Sequence, residues 1–280
     1  MLAVGNPPAL IAAVQSLIEQ SEPVEVVVIN SGGMGAASSL AGVGLPVKVI
    51  ELADRILPGA ARNRGIAATT APYISFLAAD CIAEPSWAAA RLRAHRAGAA
   101  AVASAVTNHF TTNLSAWTSY IALFNRRMPG VPSPHALLYG VSYARDLFES
   151  YGLFREEIRG GEDTDFHQRL SAGGVEIVWE PEVRTAHRHP TRLFELLHDQ
   201  FRRGARSARA WERLRGPAPI RVATNAFQRI PSSACLAWHA VARHERKWVA
   251  AAAMLLPIAA TAYAAGSIAH ALLESGKDEE

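Results

Sequence analysis

Hydrophobic positions along the first hundred residues follow two periods in turn. Leu10, Val14, Leu17 and Ile18 recur at the spacing of one helical face, after Pro7-Pro8, whose fixed φ suits a helix start. Val24 to Ile29 is a β-branched run between Pro23 and the Ser31-Gly32-Gly33 turn, and predicts a buried strand. The same reading gives strands at 47–52, 73–77 and 100–106, and helices at 62–70 and from Pro85 to about Ala97. Strands alternating with helices predict an α/β fold with a mostly parallel central sheet and helices on both faces. In such sheets ligands sit beyond the carboxyl ends of the strands, where Asn30 and Asp80 fall.

From about 108 to 153 the pattern is irregular and broken by Pro129, Pro132 and Pro134, which predicts a loop able to fold over a site. A strand at 175–179 and a long Arg-rich helix from Thr191 to about Leu214 follow, and Gly216-Pro217-Ala218-Pro219 reads as a boundary. Beyond it, residues 221–246 mix arginines with Val222, Phe227, Ile230, Leu236, Trp238 and Val241, as helices lying on a membrane or on the main domain do. Trp248 to Leu273 carries no charge unless His270 is protonated, and is long enough to cross a bilayer. The bland alternative is a buried C-terminal helix. Arg243, Arg246 and Lys247 precede this stretch and Asp278, Glu279 and Glu280 follow it, so the positive-inside rule puts the large domain on the cytoplasmic side of the inner membrane. The expected division is a main domain at 1–215, basic amphipathic helices at 216–246, a transmembrane helix at 247–273 and an acidic tail at 274–280.

Composition changes this picture little. Half of the 280 residues are apolar, enough for a sizeable core, and a net charge of +3 is too small to argue for nucleic acid. Arginines do gather from Arg202 to Arg221, but a solvated helix face beside anionic lipid accounts for them with fewer assumptions than a nucleic-acid partner. Cys81 and Cys235 lie far apart and without metal-ligand spacing, and the N-terminus lacks the pattern of a signal peptide, so the main domain is expected in the reducing cytoplasm.

The chemistry gathers at Gly160-Gly161-Glu162-Asp163-Thr164-Asp165. Two glycines permit a sharp turn into a helix whose first turn holds three carboxylates, where the macrodipole favours negative charge. Phe166 and Leu170 share one helical face, Asp165 and Arg169 form an i,i+4 pair, and Asp163 falls with His167 on another face. A capped helix start explains this pattern by itself. A second site far upstream, the apolar run Phe76-Leu77-Ala78-Ala79 ending in Asp80, supplies the materials for a metal-bound leaving group facing a base.

In this order the residues resemble family 2 glycosyltransferases of the GT-A fold. The resemblance runs from about Asn6 to Arg215 and rests on Gly59-Ala60-Ala61-Arg62-Asn63-Arg64-Gly65-Ile66, Tyr73 to Asp80, Tyr139-Gly140-Val141-Ser142-Tyr143, Gly161 to Asp165, and Trp179-Glu180-Pro181 followed by His187. It implies a nucleotide-sugar donor, an inverting transfer and a divalent metal, Mg or Mn. By resemblance Asp163 is the general base and Glu162 its partner, orienting the loop or an acceptor hydroxyl. Asn30, Arg62, Asn63 and Asp80 fall in the donor site, with Asp80 and His187 at the metal. The C-terminal stretch adds a glycan or lipid-linked acceptor at a membrane, as in polysaccharide or envelope glycan synthesis.

Three features depart from the family pattern. Asn30 stands where the family has an Asp that binds the base; its carbonyl can still accept from an imide N–H. Ala78 removes the first carboxylate of the Asp-x-Asp motif, leaving Asp80, which is sufficient in principle because phosphates and waters complete such metal shells. Only Met1 to Val4 precede Gly5-Asn6 where the family has a central strand, so an upstream start is expected. These departures also motivate a rival reading, a catalytically silent nucleotide-sugar-binding or scaffold module at the membrane. His167 reads as a packed helix histidine and Cys81 as a small packed residue; an ion pair is the plain alternative for Arg62.

Overall fold

The structure is a computed structural model describing residues 1–45, 47–215 and 219–275. The Gly216–Ala218 step and the tail beyond 275 lie outside the described residues. By contacts the chain divides into two units, one of residues 1–106 with 137–187 and one of 107–136 with 188–280.

The first unit begins with β1 (Leu2–Val4), α1 (Leu10–Ile18), β2 (Val27–Ser31), α2 (Ala36–Gly42), β3 (Lys48–Leu52), α3 (Pro58–Ala67), β4 (Tyr73–Ser75), β5 (Cys81–Ala83), α4 (Trp87–Arg96) and β6 (Ala101–Asn108). The chain then enters the second unit at α5 (Leu114–Phe124), and returns for β7 (Ser142–Ala144), α6 (Asp146–Tyr151), α7 (Glu162–Ala172) and β8 (Ile177–His187). The predicted α/β alternation is present, but pairing is parallel only in part. β1, β2 and β3 pair in parallel, whereas β4 with β7, β6 with β7 and β5 with β8 pair antiparallel. The strands form a three-stranded parallel sheet in the order β1-β2-β3 and a five-stranded sheet in the order β4-β7-β6-β8-β5, linked by a bridge between Leu2 and Ala78, so the pairing as a whole is mixed. β8 also runs eight residues past the expected strand at 175–179, up to His187.

Short as it is, β1 pairs along its whole length, Leu2 with Ile29 and Val4 with Ser31, and its far edge meets Ala78. α1 buries Leu10, Val14 and Leu17 against this sheet's core, as their spacing predicts, while Ile18 stays 41% exposed. A second core forms around Phe166 and Leu170 of α7, which pack with Tyr143, Phe148 and Phe154. Phe166 is fully buried, a contribution of roughly 1.5–3 kcal/mol to stability.

Residues 108–153 correct the expectation of a long irregular lid. α5 is a regular helix whose start is capped by Asn113, its Oδ1 accepting from the Ala116 N–H at 2.9 Å. β7 and α6 then add ordinary elements.

The second unit continues with α8 (Leu193–Arg215), α9 (Pro219–Gln228), α10 (Ile230–Ala240) and α11 (Arg246–Ser275), and α11 packs on α8, α9, α10 and α5. Gly204 and Gly266 make the α8–α11 contact possible: a Cβ at Gly204 would stand 1.9 Å from the Tyr263 carbonyl oxygen, and one at Gly266 1.9 Å from that of Phe201. The Ser267 hydroxyl donates to the Gly204 carbonyl at 3.2 Å, and the His270 ring lies 3.2 Å from Glu212. α11 is long and apolar enough to cross a membrane.

Candidate active site

Antiparallel pairing of β5 with β8 sets Cys81 opposite His187, so Asp80, one residue before β5, lies beside the imidazole. His187 Nε2 is 3.7 Å from Asp80 Oδ2. The ligand-type atoms of Asp80, Cys81 and His187 all lie within 4.8 Å of one another. Asp80 keeps 58% of its side chain exposed, whereas Cys81 is buried. Burial, reinforced by the Asp80 charge, pushes the Cys81 thiol up to about 12, so at neutral pH it is a thiol and a poor ligand. Its Sγ lies 3.6 Å from Asp80 Oδ1 and 3.5 Å from the Tyr139 hydroxyl. A carboxylate and an imidazole are a donor set suited to a hard or borderline divalent ion that takes its other ligands from phosphate and water. The residues present fit such an ion.

The same Tyr139 lines a cavity of about 110 Å³ together with Ala78, Arg62, Asp163, His167, Tyr143 and Thr185. Asp163 sits in the first turn of α7, which starts at Gly161 with φ of 90°, a left-handed conformation that glycine adopts without strain. One Asp163 oxygen accepts from the Thr164 N–H at 2.8 Å, so the other is available to a substrate proton. Across the cavity the Tyr143 hydroxyl and His167 Nε2 are 2.8 Å apart. Burial holds the His167 imidazolium below its usual range, with the Asp163 charge pulling the other way, and burial raises the Tyr143 phenol. Both groups are therefore neutral at pH 7. The sequence reading had taken His167 as packing; the structure makes it a cavity wall.

The other expected site residues are placed differently. Glu162 is buried and does not line the cavity; its Oε1 accepts from Arg62 Nη1 at 2.5 Å. Arg62 does line the cavity, with its guanidinium also stacked 5.4 Å from the Phe76 ring and 5.1 Å from Phe154. The Glu162 carboxylate is thus committed to Arg62. Asn63 is buried: its amide donates to the Phe154 carbonyl at 2.8 Å and Glu156 at 2.9 Å, and accepts from the Phe154 N–H at 3.1 Å. Asn30 is fully buried, accepting from the Asn6 N–H at 3.3 Å and donating to the Gly33 carbonyl at 3.0 Å. Both asparagines are thus hydrogen-bonded to other residues of the chain. Asp165 pairs with Arg169 at 3.1 Å as its spacing predicts, and also with Arg155 at 3.1 Å.

A larger cavity of about 290 Å³ lies beside Met1, between residues 23–27 and 71–77. Of the polar residues lining it, Arg91 donates through its two Nη atoms to the Val102 and Gly140 carbonyls, and the His95 ring contacts Ala99 and Ser142. The smaller cavity is the one that Asp163 and Arg62 line.

The α/β architecture is of the GT-A glycosyltransferase type. The family described as Glycosyl transferase family 2 matches residues 2–154, more than half of the chain, and the chain belongs to that family. It is 26% identical over 196 residues to the pre-mycofactocin glycosyltransferases of two Mycobacterium tuberculosis strains, CDC 1551 / Oshkosh and ATCC 25618 / H37Rv. That match covers 65% of this chain and 41% of each relative, so the chain spans about two-fifths of their length. Among solved structures, the mannosyltransferase PcManGT from Pyrobaculum calidifontis, in complex with GDP-Man and Mn2+, superposes with a TM-score of 0.53 at 18% identity, covering 99% of this chain and 79% of that one. That likeness supports the fold.

Proposed function

We propose that the chain is an inverting glycosyltransferase that moves a sugar from a nucleoside diphosphate onto a hydroxyl of a glycan or lipid-linked acceptor. The observation that carries this reading is that Asp163 lines one cavity with Ala78 and Tyr139, and that the Tyr139 hydroxyl in turn contacts Cys81, whose ligand-type atom lies within 4.8 Å of those of Asp80 and His187. Asp80 and His187 would hold a divalent metal, Mg or Mn, which when bound neutralises charge developing on the departing diphosphate. PcManGT holds Mn2+ in its complex, which supports a divalent ion here. Asp163 takes the acceptor hydroxyl's proton as the bond to the anomeric carbon forms. Arg62, fixed by Glu162, is aimed to contact phosphate. His167 and Tyr143, a neutral hydrogen-bonded pair, shape the wall against which the transferred sugar or the acceptor rests. A site at the cytoplasmic face of the inner membrane suits a lipid-linked acceptor, and the long apolar C-terminal helix supports it.

The sealed Asn30 and the missing carboxylate at Ala78 favour the second reading, a silent nucleotide-sugar-binding module. A melting panel of uridine, guanosine and thymidine diphosphates, with and without manganese, combined with turnover, tests both. Catalysis requires metal-dependent stabilisation by at least one nucleotide, abolished by Asp80→Ala, and release of nucleoside diphosphate that falls about 10²–10⁴-fold in Asp163→Asn. Stabilisation without turnover from any nucleotide sugar selects the silent module. A flat panel overturns both.

A further inference from the structure

The outer face of α11 is an apolar stripe. Its inner face buries Val249, Ala252, Leu256, Ala259, Ala260, Ser267 and His270 within the helical unit. On the outer face Ala250, Met254, Pro257, Ile258, Thr261, Ala265, Ile268 and Leu272 are all exposed. Met254 is 73% exposed and Leu272 70%, and no charged residue interrupts the row. At 1.5 Å per residue the stripe is about 33 Å long. Surfaces of this kind mark interaction sites.

We propose that α11 docks along an anionic membrane surface, lying in the plane of the interface rather than passing through the bilayer. A spanning helix needs every side in lipid or against lipid-compatible neighbours. The neighbour here is α8, joined to α11 through the Gly204 and Gly266 contacts, and over that stretch α8 exposes Arg202, Arg206 and Arg209. Taking α11 through the hydrocarbon would take those guanidinium groups with it. An in-plane helix buries only its outer stripe and leaves charge at the headgroups.

Charge selects the partner. Residues 188–275 hold thirteen Arg and Lys against five Asp and Glu, which suits anionic lipid and disfavours a second copy of the same surface. At the N-terminal end of the stripe the Arg246 guanidinium stacks 5.4 Å from the Trp238 ring and the Lys247 ammonium lies 5.9 Å from Trp248, cation and aromatic together as at membrane interfaces. This refines the membrane location proposed above and is independent of the transfer chemistry, because docking is read without substrate.

The test is flotation of the full chain with phosphatidylcholine vesicles, with and without phosphatidylglycerol. The expected result is binding only to the anionic vesicles, weakened about fivefold for each charge removed in Arg243→Gln and Lys247→Gln. Met254→Asp and Leu272→Asp, at well-exposed positions, should each lower binding at least about tenfold without changing the melting temperature. Membrane-impermeant maleimide then separates docking from spanning on sealed vesicles. The exposed native Cys235, and a Leu272→Cys variant made in a Cys235→Ser background, should label from the same side. Labelling from opposite sides overturns the proposal in favour of a spanning helix. Binding to neutral vesicles alone, binding to oligonucleotides in preference to vesicles, or a soluble dimer that Met254→Asp dissociates also overturns it.

Discussion

At the scale of single residues, the site depends on how each polar side chain spends its hydrogen-bonding capacity. Glu162 and Asp163 are neighbours in sequence, yet one is buried against Arg62 and the other lines the cavity. Glu162→Ala should therefore lower stability by about 3–5 kcal/mol, the usual result of leaving a buried partner unpaired. Glu162→Gln, which keeps a hydrogen bond, should instead raise the donor KM and leave the acceptor KM unchanged. Steady-state kinetics in both substrates checks this; an acceptor-side effect would put Glu162 on the acceptor hydroxyl. The acids themselves were legible, because three carboxylates after two glycines leave few structural readings. The roles of Asn30 and Asn63 were not. An asparagine facing a ligand and one tying down its own backbone look alike in sequence, and only the partners at Gly33, Asn6 and Phe154 distinguish them.

At the scale of elements, α3 and α7 carry the site between them, and Asn63 connects α3 to the 154–156 segment that leads toward α7. Asn63→Ala removes hydrogen bonds to the Phe154 carbonyl and N–H and to Glu156. Leaving those buried groups unsatisfied should cost about 1–3 kcal/mol and lower the melting temperature by several degrees. Below that temperature donor affinity should change little; a large loss of donor affinity in the folded variant would return Asn63 to the donor site. The α7 face was readable from Phe166 and Leu170, and the Asp165–Arg169 pair from its i,i+4 spacing. α5 was missed because it is buried nearly all round, from Ser115 through Ile121, so its sequence lacks the polar–apolar alternation that reveals a surface helix. Antiparallel pairing was equally hidden. Periodicity identifies strands but not their neighbours, and the opposition of Cys81 to His187 appears only once β5 and β8 are paired.

At the scale of the whole molecule, mixed strand pairing and a family 2 sequence agree on one architecture, and the buried histidines tie its stability to pH. Burial lowers the affinity of His95 and His167 for a proton below that of the unfolded chain, whose histidines titrate near 6.5. Below that pH the unfolded state binds more protons, so stability is fully present above it and falls as the medium is acidified. Melting temperatures should decline as the pH falls through about 6.5, less steeply in His95→Gln. A melting temperature that rises on acidification would contradict this. The central claim of the proposed function is that Asp80 and His187, next to the cavity through Cys81 and Tyr139, hold the metal that receives the leaving group while Asp163 serves the acceptor. Anomalous scattering at the manganese edge, from crystals grown with Mn2+ and a nucleoside diphosphate, tests it most directly. The account predicts a peak in contact with the Asp80 carboxylate and the His187 imidazole, with the diphosphate beside it and the Asp163 carboxylate facing the position of the sugar. A peak coordinated elsewhere, or a nucleotide bound away from this cavity, would contradict it.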